Sequence, residues 1–537
     1  MKLLLLNDSF FGNAFQDLGW EVLRVGPGAK NDIVIDPSTR AIGDVIAEAG
    51  FRPDAVLQVD SIDQRVFFRG VGELSAPTAF YAVDGPINEF WQREYAHGFD
   101  RVYVDQKSCA DSWRRAGREW VQWLPLAADP SLFHPPQPGS ERDIPLLFVG
   151  TLDKNLRPKR SAILFRLRSI TEVKVVDGGG LRAEKVENVA DLYRRAKVVL
   201  NELLFDGINL RTFEAMACGA VVLTEAGRGE EDLFTEGEDL VGFNPTNLER
   251  IVSGLLAEPD RIARIGARAA EHVAAGHTIL HPAPPLATDL EKFSPRGERF
   301  GRRAATEAAW GEWQASWKWP RLNSLRREAE KTLVENISLL DYPRRAELLE
   351  ARGDAEAAKV MLATSLERQP DNDRAKAALA GLLLAEGNLA GAARVLEMPA
   401  DSDLASLHVA AGDLLSRAGQ DLTAGFNRTA APVCGWTAFE HYRRAHSLNE
   451  DNRCALEGLD HVLLTRHAPE FTVALWQRFH ARNPRDEASE ITLRRRAVSG
   501  YFVPAPVLQK RRIADPFGSS RGGSGRLQSH GRARGGA

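Results

Sequence analysis

Short apolar runs separated by amphipathic stretches set the pattern of the first 140 residues. Leu3–Leu6, Trp20–Val25, Ala55–Val59, Thr78–Val83, Arg101–Val104 and Val121–Leu124 read as strands, and Phe10–Leu18 reads as a helix. The runs are nearly continuous in apolar character. Strands of that kind are covered on both faces, as in a parallel sheet with helices on each side. A Pro-rich break, PSLFHPPQPGSERD, then reads as a linker near 125–143. A second series follows, with strands at Pro145–Val149, Glu172–Val176, Val198–Leu200, Ala220–Leu223 and Leu240–Phe243. Helices fit at Arg160–Ser169, Asp191–Ala196, Thr212–Ala217, Asn247–Ala257 and Arg261–Ala275. Two Rossmann-like halves in tandem predict a cleft at the carboxyl ends of their strands.

The pattern changes after residue 278. HPAPPLATDL reads as a loop, and Trp310, Trp313 and Trp317 fall on one helical stripe that docks one domain on another or stacks on a ligand. From about 330 the chain reads as all-helical and repeats. Arg352-Gly353-Asp354 recurs as Glu386-Gly387-Asn388, and Gln369-Pro370-Asp371-Asn372 as Asn449-Glu450-Asp451-Asn452. The offset between Gly353 and Gly387 is 34 residues, and Phe426–Ala438 accommodates a 12-residue insertion before the later copy. A 34-residue helix–turn–helix period resembles tetratricopeptide repeats, which stack into a concave surface for peptides or proteins. Past Pro516 the chain is Gly, Ser and Arg rich and reads as disordered.

The expected organisation is therefore a Rossmann-like domain over 1–140, a second over 144–280, a docking segment over 281–329, a helical repeat domain over 330–500 and a tail over 516–537. The composition of this 537-residue chain, 44% hydrophobic and 26% charged, excludes disorder over most of its length. A formal charge of −4 carries no basic field for nucleic acid. Four cysteines without a C-x-x-C pair point away from a disulfide framework or zinc site and toward a reducing compartment, hence the cytoplasm. The four leucines before Asn7 are too few for a signal peptide, and no run approaches the ~18 apolar residues of a membrane span.

The stretch VVLNELLFDGINLRTFEAMACGAVVLTE carries the strongest chemical signal. A strand gives way to Asp206-Gly207 and then to a helix starting near Leu210. Unpaired N–H groups at such a start form an anion site. Arg211 there would oppose the macrodipole unless it neutralises a bound phosphate. Glu214, one turn in, suits a pair of ribose hydroxyls or simply offsets the dipole. Asp84, at the end of the strand before Gly85-Pro86, points an acid into the cleft as an acceptor ligand or base, or serves as a turn residue. Asn7, Asp8 and Ser9 line the same cleft or cap the next helix. Asp60-Ser61-Ile62-Asp63 is a weak metal candidate beside a solvated-loop reading.

FEAMACGAVVLTE closely resembles the donor-site helix of group 1, GT-B glycosyltransferases. DLYRRAKVVLN, EDLFTEGEDLVGF and RIARIGARAAEHVAAGHT, together with FYAVDGPINEFW, FDRVYVDQ and VQWLPLAADPSLFHP, are similar to the CgeB-like branch across residues 1–280. The resemblance implies transfer of a sugar from a nucleoside diphosphate sugar, the co-substrate, with no further cofactor and no metal. Glu214 takes the place of the second glutamate of the E-x7-E motif, which holds the donor ribose. Asp206 stands where the first glutamate, facing the sugar, would be. Gly207, Asn209 and Arg211 fall near the diphosphate. Gly150, in LLFVGTLDK, ends the strand that the diphosphate approaches, and Arg157 and Arg160 are the best phosphate partners among the basic residues that follow. His277-Thr278 resembles the pair that ends the nucleotide domain, which implies a packing or interdomain role. The acceptor is expected to be a protein or a cell-surface glycan precursor recognised with help from the repeats. A non-catalytic scaffold with a degenerate GT-B domain is the alternative, kept open by Asp206.

Overall fold

The computed structural model describes residues 1–8, 11–60, 66–118, 120–150, 152, 158–177, 186–203, 207–226, 229–244, 246–292, 301–319, 322–396, 402–420, 438–449, 452–465, 475–476, 479–480 and 492. Three layered units follow one another along the chain. In the first, strands β1 (Lys2–Leu6), β2 (Glu21–Gly26), β3 (Ile33–Val34), β5 (Ala55–Val59), β7 (Thr78–Ala82), β8 (Arg101–Val104) and β9 (Val121–Trp123) form one parallel sheet in the order β3-β2-β1-β5-β7-β8-β9. Strands β4 (Thr39–Ala41) and β6 (Phe67–Arg69) pair separately. These two and β3 are only two or three residues long, too short for a readable run, and the sequence pattern passes over them. In the second, β10 (Ile144–Gly150), β11 (Val173–Asp177), β12 (Ala196–Asn201), β13 (Val221–Glu225) and β14 (Val241–Phe243) are parallel in the order β11-β10-β12-β13-β14.

Both sheets reverse strand order once, between β1 and β5 and between β10 and β12. The loops that leave these strands in opposite directions open a crevice at each switch point. Helices cover both faces, so strands such as β5 and β7 are buried at every position, which is why they read as nearly continuous apolar runs.

Arg142, in the Pro-rich stretch, ties this unit together. Its guanidinium donates to the carbonyls of Tyr193, Arg194 and Ala196 and to that of Cys218, at 2.8–3.2 Å. It thereby satisfies the C-terminal ends of two helices, Val186–Arg195 and Leu210–Ala217, whose last carbonyls have no partner within the helix. Arg142→Ala should lower stability by about 3 kcal/mol, because several carbonyls lose a charged donor together. Chemical denaturation of the full chain measures it.

The segment HPAPPLATDL is a helix, Ala283–Lys292, rather than a loop. Its two prolines occupy the first turn, where the missing N–H groups would have had no intrahelical acceptor. Ala283, Leu286, Ala287 and Leu290 then bury one face against the core of the two sheets.

The tryptophan stripe lies on the helix Arg302–Lys318. Trp310 and Trp313 are buried among Ala329, Leu333, Leu340 and Leu348, while Trp317 is half exposed under the guanidinium of Arg326 at 3.6 Å. Gly311 lets this helix meet the helix Gly85–Tyr95 backbone to backbone, since a Cβ would lie 2.3 Å from the nitrogen of Tyr95. The docking alternative for the stripe is the one realised. Beside it, Glu94, His97 and Glu307 converge closely enough to hold one cation. Arg118 and Arg344 occupy that place, with Arg118 2.9 Å from Glu94 and Arg344 bonded to Glu94 and Glu307.

Paired helices follow: Tyr342–Ala351 with Ala355–Arg368, Asp373–Ala385 with Leu389–Val395, and Ala405–Gln420 with Ala438–Leu448. Gly353 and Gly387 both turn at positive φ (86° and 77°), and Asp354 and Asn388, 34 residues apart, cap the helices that follow. The proposed insertion, apart from Ala438, and the tail lie outside the described residues. No helix among those described is long and apolar enough to cross a membrane.

Candidate functional site

The carboxyl ends of the two sheets meet. Residues after β8 and β9 and residues after β12 and β13 together line a pocket of about 240 Å³, among them Asp105, Lys107, Trp123, Gly207, Phe213 and Asp232. Open α/β sheets bind ligands beyond the carboxyl ends of their strands.

On the second sheet, Asn201 at the end of β12 organises the start of the helix Leu210–Ala217. Its Nδ2 donates to the hydroxyls of Thr212 and Thr224, and its Oδ1 accepts from Asn209 Nδ2 (2.8 Å) and from Arg211 (3.0 Å). Asn209 is the N-cap and accepts from the Thr212 amide. The network aims Arg211 back over the end of β10. There its guanidinium and that of Arg160 lie 5.2 and 4.9 Å from the centre of the Phe148 ring. Both sit over Gly150, whose φ is 154°, and a Cβ there would stand 2.8 Å from Arg211. Only glycine fits beneath the two guanidinium groups.

The two arginines differ in what they hold. Arg160 is buried and ion-paired with buried Glu202 at 2.8 Å. Arg211 has no carboxylate within ion-pair distance among the described residues and bonds to the neutral Asn201 instead. Glu214, one turn further on, keeps some access to solvent although protein surrounds its carboxyl. Burial pushes that carboxyl up to about 8, and Arg211 offsets only part of the rise.

On the first sheet, Asp8 accepts from the amides of Phe11 and Gly12 and caps a helix, the second of its two readings. Asn7, at φ 58°, bonds both main-chain groups of Val66. Asp60 accepts from Gln92 at 2.5 Å. Asp84 takes the left-handed conformation (φ 55°) that aims the chain into the helix Gly85–Tyr95. Its amide donates to Asp105 at 3.0 Å. Asp105, after β8, is buried, and desolvation and then the Asp84 charge push its carboxyl up to about 7. The sequence reading passed over Asp105, Gln106, Asn201, Glu202 and Arg142. The first two were visible only as the polar pair that stops the run RVYV.

Gly150, Arg160, Gly207, Asn209, Arg211 and Glu214 are thus gathered along one sheet edge, with Asp84 on the opposing edge. Asp206, Arg157, Ser9 and Asp63 lie outside the described residues. His277 sits among Phe213, Phe234 and His272, and its carbonyl accepts from the Ala128 amide, which joins the linker to the end of the helix Pro259–Gly276.

Residues 166–286 match the family model described as glycosyl transferase-like. This segment is glycosyltransferase-like. It contains Gly207, Asn209, Arg211 and Glu214. Residues 349–414 match the tetratricopeptide repeat model, and the Gly353 and Gly387 turns fall inside it. No curated protein sequence matches the chain. Among solved structures, it is similar to sucrose-phosphate synthase from Thermosynechococcus elongatus, with 15% identity, 54% of this chain and 99% of that chain covered, and a TM-score of 0.39. It is similar to HepE of Anabaena in complex with UDP-glucose at 13% identity, with 55% and 100% covered and a TM-score of 0.40. A glycosyltransferase from Rickettsia africae aligns at 10% identity, with 55% and 99% covered and a TM-score of 0.37. Two parallel sheets facing across a cleft, the second glycosyltransferase-like, are the GT-B arrangement, and tetratricopeptide repeats follow it.

Proposed function

We propose that this protein transfers a sugar from a nucleoside diphosphate sugar to an acceptor, and that it belongs to the CgeB-like branch of the GT-B glycosyltransferases. The observation that carries the reading is the stack of Arg211 over Gly150, with Glu214 one turn deeper, at the switch point of the second sheet. In this reading Glu214 accepts from the donor ribose. Arg211 and the N–H groups at the start of its helix stabilise the diphosphate as it leaves. The acceptor hydroxyl attacks the anomeric carbon, the bond from that carbon to the diphosphate oxygen breaks, and the hydroxyl proton passes to a carboxylate. Asp84 and Asp206 are the carboxylates assigned to the reacting centre.

Arg160 serves a different purpose from the one its position in the sequence suggests. Its charge is already neutralised by Glu202, and it buttresses Phe148 instead of gripping phosphate. The chemistry needs no divalent ion and no cofactor beyond the donor, because Arg211 and the helix start supply the positive field. The repeats take part in recognising a protein or glycan acceptor, and the protein acts in the cytoplasm.

The test is calorimetry of the full chain against UDP-, GDP-, TDP- and ADP-sugars. One nucleotide should bind, and Arg211→Ala should weaken it by roughly tenfold to a hundredfold, the scale of one charged hydrogen-bonding contact. A folded protein that binds none of the four would overturn the reading.

A further inference from the structure

Gln106 joins the two sheets. It is buried, 102 residues away from its partner in sequence, and it bonds both main-chain groups of Ile208. Its Nε2 donates to the Ile208 carbonyl and its Oε1 accepts from the Ile208 amide, both at 3.1 Å. A carboxamide presents a donor and an acceptor side by side, as a peptide edge does, which an ionised carboxylate does not. Gly207 makes the approach possible. At φ 138°, a Cβ on it would lie 2.1 Å from Gln106 Oε1. Gly229, from the loop after β13, also comes close, since a Cβ on it would stand 3.3 Å from the Gly207 Cα.

The contact is part of a chain of bonds. Gln106 Nε2 also donates to Asp105 at 3.0 Å, and the same carboxylate oxygen accepts from the Asp84 amide at 3.0 Å. Lys107, the next residue, pairs with Asp232 of the second sheet at 2.5 Å. Three consecutive residues after β8 therefore hold the Asp84 turn, the Ile208 backbone and the loop after β13. Ile208 immediately precedes Asn209, the cap of the helix that carries Arg211 and Glu214.

We infer that Gln106 is a positioning residue that latches the donor-side loop at Ile208 to the acceptor-side turn at Asp84, so that the two halves of the reacting centre assemble together. The inference rests on the transferase reading above. Separating the sheets must break both Ile208 bonds. Arg211 and Glu214, the side chains assigned to hold the donor, sit on the helix after β12 and make no hydrogen bond to Gln106 among the described residues. Loss of the latch should therefore spare donor binding and slow turnover.

The experiment compares the full chain with Gln106→Ala, Gln106→Glu and Gln106→Asn. Hydrogen exchange is followed at the Ile208 amide. Hydrolysis by water of UDP-, GDP-, TDP- or ADP-glucose, whichever binds, gives kcat and KM. In that reaction water replaces the acceptor, the bond from the anomeric carbon to the diphosphate oxygen breaks, and the proton goes to solvent. With the latch lost, Ile208 exchange should rise about tenfold or more in Gln106→Ala and Gln106→Glu. In the same variants kcat should fall about tenfold while KM stays within about threefold. Gln106→Asn, which keeps the amide on a shorter arm, should recover part of kcat. Unchanged exchange at Ile208 overturns the latch, and so does a KM that rises with kcat unchanged. If the unmodified protein binds no nucleotide sugar, the transferase reading fails, and the exchange at Ile208 still decides whether the latch exists.

Discussion

Glu214→Gln should make the ligand-free protein more stable and at the same time abolish its affinity for the donor nucleotide. The carboxyl titrates at about 8 in the folded protein, whereas in the unfolded chain it returns to about 4.3. Between those values the folded state holds a proton that the unfolded state has released. The contribution of the protonated group is fully present below about pH 4.3 and is lost as pH rises through 8. Above pH 8 the folded protein carries a poorly solvated carboxylate, countered in part by Arg211. Glutamine removes that cost. The melting temperature of the variant should therefore match that of the parent near pH 5 and exceed it by several degrees at pH 8.5. Nucleotide binding should fall about a hundredfold or more, because two ribose hydroxyls lose a charged acceptor. Binding to the parent should release close to one proton near pH 7.5, visible as a buffer-dependent heat. A variant that is both less stable at pH 8.5 and unaltered in binding would refute the role given to Glu214. Gain of stability on loss of a binding residue is the usual mark of a site arranged for its ligand.

Glu202→Ala should be the most destabilising of the site substitutions. It strands the guanidinium of Arg160 in a place where both side chains are almost wholly enclosed. Removing one partner of a buried pair costs about 3–5 kcal/mol, which corresponds to a fall in melting temperature of about 10 °C. Replacing both partners by apolar residues, Arg160→Met with Glu202→Leu, should restore most of that loss, since neither charge then remains uncompensated. The double variant also separates Arg160 from Arg211 in function. If Arg160 only buttresses Phe148, nucleotide affinity in the double variant should stay within about fivefold of the parent, well short of the loss in Arg211→Ala. A loss equal to that of Arg211→Ala would return Arg160 to the phosphate-binding role suggested by its place after Gly150.

Much of the architecture was legible because it rests on local pattern. Largely apolar runs such as Ala55–Val59 and Arg101–Val104 coincide with β5 and β8, since a strand buried on both faces admits a polar residue such as Gln58 only where it finds a partner, here Tyr95. The 34-residue spacing of Gly353 and Gly387 survives as two turns at positive φ, which a side chain would strain. The helix start expected near Leu210 coincides with the helix Leu210–Ala217, and the structure adds that Asn209 caps it. Where local pattern misled, a local rule had been applied too broadly. Two prolines suggested a loop at 284–285, yet a first helical turn accepts them at no cost in hydrogen bonds.

The site itself divides along the same line. Arg211 could be read from sequence because a cation at a helix start opposes the macrodipole, whereas Gly150 and Glu214 were marked by the resemblance to a known family. The sequence by itself determined two parallel-sheet units and the helical repeats after them, and it marked Gly150, Arg211 and Glu214 on one sheet edge. Only the tertiary structure decided that Arg160 spends its charge on Glu202, 42 residues away, and that Arg142 closes two helix ends. It alone brought Gln106 to Ile208 and Asp105 to Asp84. Those pairings depend on distance in space, and buried polar groups must find partners wherever the packed core leaves them, which no spacing along the chain records.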